Sequence, residues 1–124
     1  MADENEHALI IEIPRSSLSA PDNVVADIVS LEAELAAALN GLGIVDGHDF
    51  GLMLNPDAGG GLTGASVYIY GPNADAMFAA VERVLASNAM GAESTVRLRE
   101  GKPGTEERRV KIEGRARSLG TPLH

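Results

Sequence analysis

The chain changes its hydrophobic period four times, passing twice from strand-like runs to recurrence at every third or fourth residue and back, and this limits its folds more than any other feature. Ala8 to Ile13, reading Ala-Leu-Ile-Ile-Glu-Ile, is a short β-branched run closed by Pro14, the pattern of a central strand with Glu12 as its one charge. Ser19, Pro21 and Asp22 then resemble a helix start, with a hydroxyl to cap free amides and an acid at the positive end. Val24, Ile28, Leu31, Leu35, Leu39 and Leu42 recur at spacings of three and four, which predicts one continuous apolar helix face that Asn40, Gly41 and Gly43 end. Asp46 to Gly51 reads as a turn leading into a second strand at Leu52 to Leu54, stopped by Asn55-Pro56-Asp57. A flexible connection, Gly59 to Gly64, precedes a third strand at Ala65 to Tyr70, the hairpin partner of the second. After Gly71-Pro72, Asn73 is placed to cap a second helix whose apolar side is Met77, Phe78, Val81, Val84 and Leu85, ending near Asn88. Thr95 to Arg99 and Arg108 to Ile112 return to alternation across a turn containing Gly101, Pro103 and Gly104.

Strand, helix, strand, strand, helix, strand, with one strand added, is the order of a split βαββαβ unit. Two helices with one apolar stripe each, and strands with one apolar side each, are satisfied together when both helices pack on the same sheet face. The expectation is therefore an α+β, ferredoxin-like sandwich with sheet order 4-1-3-2 and the fifth strand extending the edge beside the fourth. A chain of 124 residues supplies one such domain. Its expected limits are residues 8–113, between a flexible N-terminus, 1–7, and a frayed tail, 114–124.

Composition narrows the function classes. A chain that is 44% hydrophobic and 23% charged is neither disordered nor collagen-like, and no apolar run is long enough to span a bilayer. With no cysteine there is no thiol nucleophile, disulfide framework or thiolate metal site. An acidic start followed by a short apolar run is unlike a signal peptide, so the expected location is the cytoplasm. The net charge is −8, and it is unevenly spread. Residues 1–82 carry thirteen acids against Arg15 alone, a balance of −12, whereas residues 83–124 carry nine bases against five acids, +4. Such a balance disfavours nucleic acid and anionic lipid as partners.

If the helices cover one sheet face, residues of opposite parity occupy the other: Glu12 with Ile10, then Ser66, Tyr68 and Tyr70, then Thr95, Arg97 and Arg99, then Arg109 and Lys111. Two aromatic rings beside four cations suit a planar or phosphorylated anion. The same residue types suit a homodimer interface. A third reading is purely structural, with Glu12 paired to Arg97 or Arg99 across the sheet. RNA-recognition domains share the topology, but Ala65 to Tyr70 lacks their basic-Gly-aromatic signature and the first strand has no aromatic. Asp46, His48 and Asp49 form a second grouping, able to do acid-base work or to act simply as a turn. No HxxxH or HExxH pair points to a metal. The segment from Asp57 to Gly64 lacks the Gly-Lys-Ser/Thr ending of a phosphate loop and runs into a strand rather than a helix. No cofactor is expected.

The run Asp46-Gly47-His48-Asp49-Phe50-Gly51, the segment from Val67 to Phe78 containing Tyr68-Ile69-Tyr70-Gly71-Pro72-Asn73-Ala74-Asp75, and the basic last hairpin resemble small bacterial proteins that combine a DG-x-D/E-x-G turn with a YxYGPxAD segment. The resemblance covers most of residues 8–112; it implies a bacterial cytosolic protein and carries no catalytic residue. The leading expectation is a non-enzymatic regulatory or interaction module of the immunity-protein kind. Its acidic helices, with Asp27, Glu32, Glu34, Asp75 and Glu82, would meet a basic protein partner. The alternative is a small-ligand-binding protein or small enzyme of ferredoxin-like dimers, with a cleft bordered by Asp46, His48, Asp49, Tyr68 and Tyr70.

Overall fold

The computed structural model describes residues 6–18, 21–53, 61–88, 90–102 and 104–112. Five strands and two helices follow one another as β1 (His7–Pro14), α1 (Pro21–Leu39), β2 (Ile44–Met53), β3 (Gly61–Gly71), α2 (Ala74–Ser87), β4 (Thr95–Arg99) and β5 (Glu107–Lys111). Single 3-10 turns, Arg15–Ser17 and Gly91–Glu93, precede α1 and β4. One antiparallel sheet holds the strands in the order β2-β3-β1-β4-β5, the ferredoxin-like arrangement with the fifth strand on the edge beside β4. No helix among the described residues is long and apolar enough to cross a membrane.

The core lies between the helices and one sheet face. Val24, Ile28, Leu31, Leu35 and Leu39 of α1 and Ala74, Met77, Val81 and Leu85 of α2 are buried there. Beneath them lie Leu9, Ile11 and Ile13 of β1, Val67 and Ile69 of β3, and Val96 and Leu98 of β4. Burying side chains of this size contributes about 1.5–3 kcal/mol each relative to exposure, so the period-two and period-3.6 stripes select this packing together. Leu42 departs from the expected stripe. The helix ends at Leu39, Asn40 and Gly41 take positive φ angles of 47° and 91°, and Leu42 is left exposed.

Three other elements differ from their sequence reading. Asp46 to Gly51 is part of β2, which begins at Ile44; register shifts between Val45 and Gly47 and between Gly51 and Leu52 absorb the glycines as bulges inside the strand. β3 starts at Gly61, so the second half of the expected glycine-rich connection is strand, while 54–60 fall outside the described residues. His7 opens β1, and its Nδ1 accepts the N–H of Ala74 at 3.0 Å. Asn73 caps α2 as its position predicts, accepting the Ala76 N–H at 3.0 Å. Ser19 and the tail 114–124 also fall outside the described residues.

The turn into α2 is tight. A Cβ added at Gly71 would stand 2.7 Å from the Leu42 carbonyl oxygen and 2.6 Å from Met77 Sδ, so only glycine lets β3 end against the α1–β2 connection.

Candidate functional site

Pairing register arranges the uncovered sheet face in rows. Tyr68, Ile10, Arg97 and Arg109 lie opposite one another across β3, β1, β4 and β5. Asp49, Ser66, Glu12, Thr95 and Lys111 form the next row, and Ile44, Tyr70, Ala8, Arg99 and Glu107 the row on the other side. All the aromatic and basic residues expected on this face share it. Ile10 is nevertheless buried, beneath its taller neighbours in the row.

Every one of the four cations is engaged. Arg97 Nε stands 3.2 Å from Glu12 Oε2, and its Nη1 donates to Glu107 Oε1 at 3.1 Å. The Nε–H misses hydrogen-bond alignment, so the Glu12 contact is one of charge, and Arg97 Nε is buried without a hydrogen bond. Arg109 Nη1 approaches Glu12 at 3.8 Å. Arg99 donates to two carbonyl oxygens, Gly101 at 2.8 Å and Glu6 at 2.9 Å. Lys111 donates to the Glu93 carbonyl at 3.1 Å and pairs with its carboxylate at 3.5 Å. Glu12, Glu93 and Glu107 thus offset much of the positive charge that would attract an anion. The cross-sheet pairing of Glu12 with Arg97 is the structural reading of these residues.

Tyr68 contributes a second polar contact. Burial and the adjacent Asp49 carboxylate, which accepts from its hydroxyl, raise the phenol above its ordinary value. At the end of the face where Glu12 lies, an open cleft of about 390 Å³ is lined by Glu12, Ser66, Thr95, Glu93 and Lys111 with Gly51 and Gly64. Ile13, Pro14 and Ala65 complete its walls, so that apolar surface and polar or paired charged groups share them about equally.

The grouping of Asp46, His48 and Asp49 does not converge. His48 is opposite Val67, on the helix-covered face, while Asp49 is opposite Ser66, on the open one. Strand alternation turns neighbouring side chains to opposite faces, so the sheet itself separates His48 from Tyr68 and Tyr70. His48 instead reaches α1, its Nδ1 lying 3.0 Å from Glu32 Oε2, with Phe50 edge-on at a ring-centroid distance of 5.2 Å. Among the described residues no group of three His, Asp or Glu side chains could hold a metal ion.

The acidic helix surface is likewise partly engaged from within. Glu32 is taken by His48, and Asp75 by Arg108, which also pairs with Glu100 at 2.9 Å. The Arg108 guanidinium, donating to Asp75, holds that carboxyl below the usual carboxylate range. Glu34 lies beside the groove between the helices, with Ala38, Ala80, Arg83, Val84, Ser87 and Asn88; Asp27 is exposed on α1 and Glu82 on α2.

A surface the sequence reading overlooked lies at the β2 edge. Val25 (54% exposed), Val29 (51%), Leu42 (43%) and Ile44 (59%) are the large aliphatic side chains most open to solvent among the described residues. Val25 and Val29 stand seven and three residues before Glu32, hence on the side of α1 that meets His48 of β2. Ile44 opens the same strand at its other end, on the open face opposite Tyr70, and Leu42 lies in the connection just before it. The sequence holds one signal for this: Val25 and Val29 fall outside the 24, 28, 31, 35, 39 stripe at a spacing of four, a second apolar line on one helix. Comparison with protein-family models, with curated proteins and with solved structures found no match to this chain.

Proposed function

We propose that this chain is a non-enzymatic protein-interaction module whose contact surface is the β2 edge and the adjoining side of α1. The observation that carries this reading is the exposure of Val25 and Val29 on the side of α1 that meets β2, together with Leu42 and Ile44 exposed where that edge strand begins. Single exposed aliphatics are ordinary; two on one side of a helix beside an edge strand, with two more at the start of that strand, support a contact surface there. Charge specifies the partner further. From Pro21 to Met53 there are six acids, Asp22, Asp27, Glu32, Glu34, Asp46 and Asp49, and no Lys or Arg. A basic protein would be steered to this side, with salt-sensitive affinity. Of the acids expected on both helices, Asp75 of α2 pairs with Arg108 and Glu32 of α1 with His48, while Glu82 remains exposed on α2; the absence of Lys and Arg from 21–53 is what favours the α1 and β2 side.

The open-face ligand reading is weaker because its cations face their own acids and because His48 points to the other side of the sheet. The test is affinity capture from the native host with tagged wild-type protein and a Val25→Ser, Val29→Ser, Ile44→Ser variant. One basic protein held by wild type at low salt, released by a salt step and lost by the folded variant is the expected result. Equal retention by both chains, or recovery of a small molecule alone, refutes the assignment of this surface.

A further inference from the structure

We infer that the partner contributes an extended segment of alternating basic and aliphatic residues that pairs as a sixth strand with the edge of β2 that no described strand covers. This rests on the interaction-module reading and adds the mode of binding and the chemistry of the bound segment.

β2 pairs with β3 on one side, and no described strand lies on the other. It is ten residues long, whereas the opposite edge strand, β5, is five residues long and carries Arg108, Arg109 and Lys111. Cationic side chains on a short edge are the usual protection against added strands. β2 has no Lys or Arg; its irregularities lie toward the ends, leaving Gly47 to Gly51 in uninterrupted register with β3. That stretch is the platform on which another backbone can pair.

Side-chain alternation then fixes what an added strand must carry. On the helix side of the platform stand His48 and Phe50, with Val25 and Val29 on the flank of α1 above. Side chains of the added strand that point this way meet aliphatic and aromatic surface. On the open side the platform presents Asp49, and Asp46 lies at its bulged end. Side chains that point this way meet carboxylates, so a base belongs there. A second copy pairing through β2 would bring together twelve acids, six from each 21–53 segment, with no Lys or Arg among them. That charge selects a basic partner strand over self-association.

The probe is the synthetic peptide acetyl-Lys-Val-Arg-Val-Lys-Val-Arg-Val-Lys-amide, with two controls: the same peptide N-methylated at alternate residues in each phase, and one with Glu at every basic position. Binding to the full chain is followed by amide hydrogen exchange and NMR shifts at several salt concentrations. With the peptide at about 100 times its Kd, the outward amides between Gly47 and Gly51 are expected to slow about 100-fold. One N-methylated phase and the Glu peptide should fail to protect them, and added salt should weaken binding. Equal binding by both N-methylated phases, or shifts confined to the exposed surface of α1, overturns strand addition while leaving the module reading intact. No protection at any peptide concentration also overturns it. Failure of the module reading is seen separately, when the Val25, Val29, Ile44 variant keeps the host partner. Dimerisation that buries β2 in the absence of peptide overturns the choice of occupant.

Discussion

Replacing Glu12 by Gln should destabilise the fold by about 1–2 kcal/mol, because Glu12 sits between two guanidinium groups that otherwise face each other across β4 and β5. At the 3.2 Å separation from Arg97 Nε, the charge attraction exceeds the figures for 4 Å, roughly 1 kcal/mol in water and 4 kcal/mol at an effective dielectric of 20. Glu12 is 37% exposed and Arg97 26%, so solvent screens much of this, and the misaligned Nε–H adds no hydrogen bond. A coupling energy of about 1 kcal/mol, the top of the range for exposed pairs, remains for Glu12 and Arg97 alone. The rest of the expected loss comes from Arg109, 3.8 Å away, which loses its screening acid beside Arg97. The assay is a double-mutant cycle of Glu12→Gln and Arg97→Met by urea unfolding, with a constant m value as the check on two-state behaviour. The coupling should shrink in high salt. A coupling below about 0.3 kcal/mol, within the error of additivity, would mean that Glu107 alone holds Arg97 and that Glu12 does not neutralise this face.

Other outcomes follow from the same structure. Leu35→Ala should cost about 2–5 kcal/mol in urea unfolding, because the side chain is fully buried beneath α1, while Val29→Ala one turn and a half earlier should stay within about 0.5 kcal/mol. An NMR titration should find the Asp75 carboxyl below its ordinary value in the wild type and returned toward it in Arg108→Ala. Since the folded value is depressed, the stability it supplies is present above the unfolded value and is lost as pH falls through the folded one. Tyr68 has the opposite sign: its raised phenol supplies stability below the unfolded value that is lost as pH rises through the folded one. In a Tyr70→Phe background, where Tyr68 is the only tyrosine, Asp49→Asn should lower the phenolate absorbance midpoint; an unchanged midpoint would assign the shift to burial alone.

The fold was legible because its signals are local and mutually consistent. The 24-28-31-35-39 stripe, Asn73 before α2 and the alternation of β4 each report what one segment must do. The short connections leave few topologies that satisfy all of them. The open-face residues were legible for the same reason, since parity along a strand is fixed once its buried side is known. What misled was glycine. Asp46-Gly47-His48-Asp49-Phe50-Gly51 has turn composition, yet β3 pairs along it and the irregularity is taken up as bulges. Read as a turn, its polar groups can be imagined converging; as a strand, it sends His48 and Asp49 to opposite faces. The Glu32–His48 contact, spanning sixteen residues, has no local signature either.

The two edges of the sheet also account for where the chain's unequal charge has gone. On the described basic strands, Arg97, Arg99, Arg108, Arg109 and Lys111 all have acids or carbonyl oxygens as partners. Those partners include Glu12 from the acidic part of the chain, whose contribution is thus spent inside the fold. Across β1 and β3, the α1 and β2 segment has no Lys or Arg of its own, and Glu32 pairs with His48. Acid and base are therefore paired at the β5 edge, while the segment at the β2 edge is acidic in sequence. That acidic segment includes the strand edge that no described strand covers and exposed aliphatic side chains. A surface that attracts bases at long range and offers hydrogen bonds and apolar contact at short range discriminates by both, and loses its selectivity if either is removed. For this reason Asp46→Lys with Asp49→Lys should abolish binding of the basic peptide while favouring its Glu counterpart on the same strand edge. If the reversed charges weaken both peptides alike, the edge acts through the backbone alone and the acidic character of α1 and β2 has another use.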